Sequence, residues 1–320
     1  MTTGTSRLNL FRPSRPSRPS RWFRLAWIVP ALVVASTLVV FAANGLSALP
    51  AVESFMRTYP GVSTQPAAVP LGIPTWLAWQ HGLNAFFILF VLRTGWQVRT
   101  TKRPSIFWTR TNTGWLRTKN PPIRITLDLW QHIVFDSLWA VNGIVFYVLL
   151  FATGQWLRIV PTNWDVFPNA VSAGLQYASL NWPTDAGWVH YNALQLLSYF
   201  AVVFLAAPIA LVTGLRMSPG LSARLRRFDR VFPLPVARRL HFATLIFFVV
   251  FIIVHVLLVL TTGARANLNH MYAARNDDGW LGVWIFAGSL VLAAAVWLGA
   301  RPAVVRAVAA RSGRIIHRTR

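Results

Sequence analysis

Two histidines fourteen residues apart on one uninterrupted apolar run, His241 and His255, form the most informative spacing in this 320-residue chain. At about 3.6 residues per turn, fourteen residues make close to four turns. Both imidazoles then project from nearly one face, separated along the axis by about 21 Å. Imidazole is a common metal ligand, and an ionisable side chain inside an apolar span is a functional candidate by default. Five of the seven histidines fall in or at the edges of such runs: His81, His132, His190, His241 and His255. No cysteine is present, which excludes disulfides, iron–sulfur ligation and thiolate metal sites.

The elements that must position these groups are membrane spans. The chain is 55% hydrophobic and 12% charged, against roughly 25% charged residues in soluble domains. Its apolar residues gather in blocks long enough to cross about 30 Å of hydrocarbon. We read six spans: Trp22–Ala43, Thr75–Arg93, Thr126–Ala152, Trp188–Leu215 with a kink at Pro208, Ala237–Thr262 and Trp280–Ala300. The net charge of +23 is topological rather than nucleic-acid-binding. Basic clusters occupy Arg7–Arg24, Arg99–Arg124, Arg216–Arg239 and Arg301–Arg320, while the intervening loops carry only Arg57, Arg158, Arg265 and Arg275. The positive-inside rule then puts both termini in the cytoplasm of a bacterial inner membrane.

Four parts follow. Residues 1–21 are a basic Arg-Pro-Ser tail expected to be disordered. Residues 22–74 hold the first span and an outer loop. Residues 75–262 form a four-helix, ligand-bearing all-α domain from spans two to five, and residues 263–320 hold an outer loop, the sixth span and a basic tail. A basic stretch before an apolar run also describes a signal peptide; the run is longer than a usual signal core, and the first span is read as retained. The outer loop ending at Gly187, with Trp156, Trp164 and Trp182, reads as an irregular cap at the membrane interface.

Depth pairs the histidines. His81 lies about six residues into a span entering from outside, and His255 about seven residues before its span leaves on that side. His132 and His241 lie at matching inner depth. The outer pair is therefore His81 with His255 and the inner pair His132 with His241, a geometry that suits two stacked haems whose irons have both axial positions filled. His190, shallower, could replace His81, bind a haem propionate or a quinone, or be interfacial. His270 and His317 read as solvent or headgroup contacts. Asp128 and Asp136 share a face with His132; Asp136 reads either as a proton relay or acceptor for the His132 N–H, or as an ordinary hydrogen-bonded bundle residue. Arg93 and Arg216 could meet inner propionates, or simply obey the charge rule. No Walker motif, dinucleotide fingerprint, nucleophile elbow or zinc signature occurs, so no substrate-converting site is recognisable.

The segment His81-Gly-Leu-Asn-Ala-Phe-Phe followed by Thr94-Gly95, His132 near the start of span three, and the fourteen-residue spacing resemble the di-haem cytochrome b membrane subunits of formate dehydrogenase, nickel-iron hydrogenase and thiosulfate reductase, the cytochrome b561 type. The resemblance covers about Thr75–Thr262 and implies the same two ligand pairs. Thr261-Thr-Gly-Ala-Arg-Ala-Asn-Leu-Asn-His-Met-Tyr also looks like actinobacterial-type cytochrome b proteins that accompany a molybdopterin-dependent oxidoreductase. The implied function is an electron-transfer subunit with two b-type haems, exchanging electrons between a partner oxidoreductase and membrane quinone. Competing expectations are a six-span transporter with a histidine proton path, and a haem-free anchor.

Overall fold

The computed structural model describes residues 21–113, 117–182, 187–220 and 229–318. The Arg-Pro-Ser tail to Ser20, the last turn of the outer cap before Gly187 and part of the Arg216–Arg239 cluster lie outside the described residues. Among the described residues ten helices run in order: α1 (Arg21–Ser47), α2 (Pro50–Thr58), α3 (Thr75–Thr100), α4 (Leu127–Ala152), α5 (Val166–Ala178), α6 (Ala193–Met217), α7 (Leu234–Thr261), α8 (Ala264–Ala273), α9 (Leu281–Gly299) and α10 (Pro302–Ala310). Six of them, α1, α3, α4, α6, α7 and α9, are long and apolar enough to cross a membrane, as the hydropathy blocks predict.

The bundle is two close helix pairs, α3 against α4 and α6 against α7, with α8 laid over α3 and α7 and joined to α9. Between the pairs the backbones stay further apart, and side chains bridge the seam. Helix α1 meets α5 and α2 near its outer end; most of its remaining large apolar side chains face outward, where lipid solvates them. The close approach of the first turn of α9 to α8 needs a glycine: a Cβ at Gly282 would lie 2.3 Å from the carbonyl oxygen of Leu268.

The kink expected at Pro208 takes the form of a π-helical stretch, Ala201–Ala206, inside α6. There the Ala207 N–H reaches back to the carbonyl of Val202. In that register the carbonyl of Val203 faces the Pro208 nitrogen, which has no proton to give. The Tyr147 hydroxyl of α4 donates to Val203 instead, so the break is closed by a neighbouring helix.

Span four begins later than its apolar run. Asn192 caps α6 in a reciprocal capping box with Gln195, and residues 187–191 are left outside the helix. The outer cap is also more regular than expected, because it holds α5 and a 3-10 turn, Gln155–Arg158. Asp165 ties loop 61–64 to α5, accepting from the hydroxyls of Ser63 and Thr64 and from the Thr64 N–H at 3.0 Å. Partial desolvation pushes this carboxyl up, but the three hydrogen bonds outweigh it and hold the carboxyl below its ordinary range.

On the side that the charge pattern assigns to the cytoplasm, the loop after α3 and the C-terminal segment build a three-stranded antiparallel sheet. Strand β1 (Ile106–Arg110) pairs with β2 (Arg124–Thr126) and with β3 (Gly313–His317). The Trp108 indole donates to the carbonyl of Ala309 at 3.0 Å, so α10 joins the same unit.

Two outcomes test these local accounts. Tyr147→Phe strands the Val203 carbonyl and is expected to cost about 1–3 kcal/mol, read as a lowered Tm in detergent. The Asp165 contribution is present above the ordinary carboxylate pKa and fades as pH falls through its depressed folded value. Proteolysis of loop 61–72 should therefore speed up on acidification in the native protein, and in Asp165→Asn it should already be fast at neutral pH and lose that acid dependence.

Candidate functional site

Four histidines meet as two pairs across the seam. His132 lies in the second turn of α4, whose first turn is fixed by the Thr126 hydroxyl accepting from the Leu129 N–H. It faces His241 of α7, with ring centres 6.3 Å apart and planes at 81°. His81, two turns into α3, faces His255 of α7, with ring centres again 6.3 Å apart and planes at 61°. Helix α7 therefore serves both levels, and its fourteen-residue spacing separates them by about 21 Å along the axis.

The inner pair is oriented by two threonines in matching positions. Thr94 Oγ1 lies 3.0 Å from His132 Nδ1, and Thr213 Oγ1 lies 2.9 Å from His241 Nδ1. Each hydroxyl gives its only proton to a carbonyl one turn earlier, Phe90 at 2.7 Å and Ile209 at 2.6 Å. Each oxygen can then serve the imidazole only as an acceptor, so Nδ1 carries the proton and the Nε2 lone pair is free. A glycine follows each threonine. A Cβ at Gly95 would lie 3.1 Å from His132 Cε1, and one at Gly214 would lie 3.5 Å from His241 Cε1. Small residues at these two points let the rings sit close to the neighbouring helices.

The outer pair is set by aromatic packing. Phe251 stacks on His255 at 5.4 Å and 8°, Tyr199 meets His255 edge-on at 6.1 Å, and Tyr272 of α8 meets His81 at 5.4 Å and 90°. His81 Nδ1 is buried without a hydrogen-bond partner. Between the two levels the seam is aromatic: Phe248, midway between the α7 histidines, packs edge-on against Trp139, and Phe90 stacks on Phe135.

These pairs fit a planar metal cofactor. Two imidazoles on opposite sides of one metal, each with a metal–nitrogen bond of about 2.0–2.1 Å and a nitrogen lying about 1.1 Å from its ring centre, put the ring centres about 6.3 Å apart. Both pairs have this spacing. Among the described residues no group of three or more His, Asp or Glu side chains could hold a bare ion. A two-ligand site needs a cofactor that brings its own remaining donors, as a porphyrin does with four nitrogens.

Other sequence candidates land elsewhere. His190 joins neither pair; the capping box leaves it in the loop before α6, lining a cavity of about 340 Å³ with Gln65, Val69 and Leu71. Asp136 approaches the Nε2 of His132 at 3.4 Å rather than its Nδ1, which Thr94 has taken, so it is not the acceptor that orients the ring. Asp128 accepts from Gln97 of α3 at 2.8 Å. Arg216 is paired with Asp229 and with the Phe232 carbonyl. Arg93 stacks on Trp297 of α9, with Nη1 buried and unpartnered. His270 packs on Trp188 and meets Asn276 at 2.9 Å, and His317 lies in β3. Sequence reasoning passed over Thr213-Gly214, although it repeats the Thr94-Gly95 pair noted on span two. It also passed over Tyr199, which carries no signal apart from its neighbours, and gave Tyr272 no role beyond ending the 261–272 segment.

The fold and these paired imidazoles define a multi-pass, all-α membrane protein with sites for a planar cofactor. The family model for prokaryotic cytochrome b561 matches residues 72–273, and the chain belongs to that family. The matched region ends at the close of α8, which takes in the helix that carries Tyr272. Neither the curated proteins nor the solved structures offer a match to this chain. Family membership makes the protein a membrane cytochrome that binds b-type haem and transfers electrons.

Gly95→Ala must move the His132 ring, whereas Gly214→Ala makes an ordinary contact. Haem per chain, measured as the pyridine haemochrome, should fall in Gly95→Ala and stay near the native value in Gly214→Ala.

Proposed function

We propose that the chain carries two b-type haems, one between His81 and His255 and one between His132 and His241, and passes electrons between the membrane quinone pool and a partner oxidoreductase of the molybdopterin class. The observation that supports this most is the repeated 6.3 Å separation of two imidazole pairs sharing one helix. A bound haem supplies a one-electron ferric/ferrous couple. The chain's own residues do the rest. The threonines hold Nδ1 protonated at the inner pair, and aromatic packing excludes water around both levels. His81 with His255 and His132 with His241 would hold the haems, and haem held by two imidazoles would supply electron transfer rather than oxygen chemistry. The partner and quinone assignments rest on the resemblance of the 261–272 segment. The charge pattern supports cytoplasmic termini and an inner membrane location.

A transporter would need broken helices lining a polar midplane. The π segment of α6 is such a break, but Tyr147 closes its free carbonyl, and the middle of α7 reads Leu-Ile-Phe-Phe-Val-Val-Phe-Ile-Ile.

A dithionite-minus-air spectrum of the purified protein should show a b-type α band and two haems per chain. His255→Ala and His241→Ala should each lose one haem, and His190→Ala should keep both. A chain with no haem, or either of the first two variants keeping both, would sink the reading.

A further inference from the structure

The outer cap encloses a charge that the described residues do not balance. Arg158 is 2% exposed. Its Nη1 donates to the carbonyls of Pro70 at 3.0 Å, Gly72 at 3.2 Å, Trp188 at 3.2 Å and Val189 at 3.4 Å, and its Nη2 donates to Gly187 at 2.9 Å. Its Nε is buried with no partner. Among the described residues no carboxylate lies within ion-pair distance of the guanidinium. Neutral carbonyls orient a cation but do not neutralise it, and a buried charge without a counter-ion is strongly unfavourable. Among the described residues the site is short of an anion.

A second unpartnered donor lies in the same layer. The Arg158 guanidinium sits 5.0 Å from the centre of the Tyr191 ring. Tyr191 belongs to an apolar cluster that includes Trp76, Tyr199 and Leu150, and the indole Nε1 of Trp76 is also buried without a partner. This layer abuts the outer imidazoles. Tyr191 meets Tyr199 at 5.0 Å, and Tyr199 meets His255 at 6.1 Å. Trp76 stands five residues before His81 on α3, about 7.5 Å outward along the axis.

We propose that Arg158 and Trp76 form an anion site that takes a propionate carboxylate of the haem held by His81 and His255, a step that rests on the haem reading given above. A carboxylate accepts from both N–H groups at once and neutralises the guanidinium, which makes the hydrogen bonds charge-assisted. The same chemistry could come from a lipid phosphate at the outer surface, and the test separates the two.

The full-length haem protein is titrated potentiometrically in detergent and in lipid nanodiscs, with haem per chain measured alongside. Arg158→Gln removes the charge, and Trp76→Phe removes one neutral donor while leaving the Arg158 clamp in place. Both should retain two haems and shift one midpoint potential downward, because a propionate less well compensated favours ferric iron; the other potential should not move. Arg158→Lys should recover part of the shift. Asp185→Asn, at the acid closest in sequence to the clamp and outside the described residues, should move neither potential. Two haems with unchanged potentials in Trp76→Phe and Arg158→Gln overturn the site, as does a shift that vanishes once phospholipid is removed. Should Arg158→Gln fail to fold, Trp76→Phe decides alone. A native protein with fewer than two haems, or His81→Ala retaining both, defeats the haem assignment instead.

Discussion

An imidazole in hydrocarbon must find partners for both of its nitrogens, because no water is at hand to take the one left over. At the inner level the partners are divided: a threonine oxygen takes the Nδ1 proton of each ring, and the two rings meet across the seam with their centres 6.3 Å apart. Much of the bundle follows from meeting that requirement twice. Helix α7 must face α3 at one level and α4 at the other, so the two close helix pairs cannot pack backbone to backbone across the seam. The glycines at 95 and 214 leave room for the inner rings beside their neighbouring helices, and aromatic side chains around Phe248 fill the seam between the two levels.

The two levels solve the same problem by different means, and this bears on electron transfer. Hydrogen bonding to Nδ1 makes an imidazole a stronger donor to its metal and stabilises the oxidised state. The inner rings have that support from hydroxyls, whereas the outer rings are hemmed in by Phe251, Tyr199 and Tyr272, with His81 Nδ1 unpartnered. If each level holds a haem, as proposed, the outer one would on this ground be the easier of the two to reduce. A guanidinium over the same region acts in the same direction, since a nearby cation favours the ferrous form.

The sequence revealed what lipid imposes. Span number and histidine depth are readable because hydrocarbon thickness and helical rise are fixed lengths, and both pairs appear in the structure as matched from His81, His132, His241 and His255 alone. What it concealed depends on short-range chemistry outside those lengths. His190 looked like part of a span because Trp188–His190 are apolar enough to extend the run, but the Asn192–Gln195 capping box starts the helix beyond it. Asp136 shares a helical face with His132, yet the acceptor that orients the ring comes from a different helix, a contact no periodicity predicts. Arg158 looked like one of four stray outer charges, whereas it gathers five carbonyls from two loops.

The inner sheet has an implication for the order in which the molecule can be completed. Strand β1 follows α3, but one of its two neighbours, β3, lies at the far end of the chain, roughly two hundred residues later, a long-range pairing of the kind that forms slowly. During synthesis the helices can enter the bilayer one after another while this edge of β1 stays bare. The Gly313–His317 strand can dock and draw α10 against Trp108 only after residues 313–317 have left the ribosome. The clasp that joins the two ends of the bundle therefore closes only after every span has been translated.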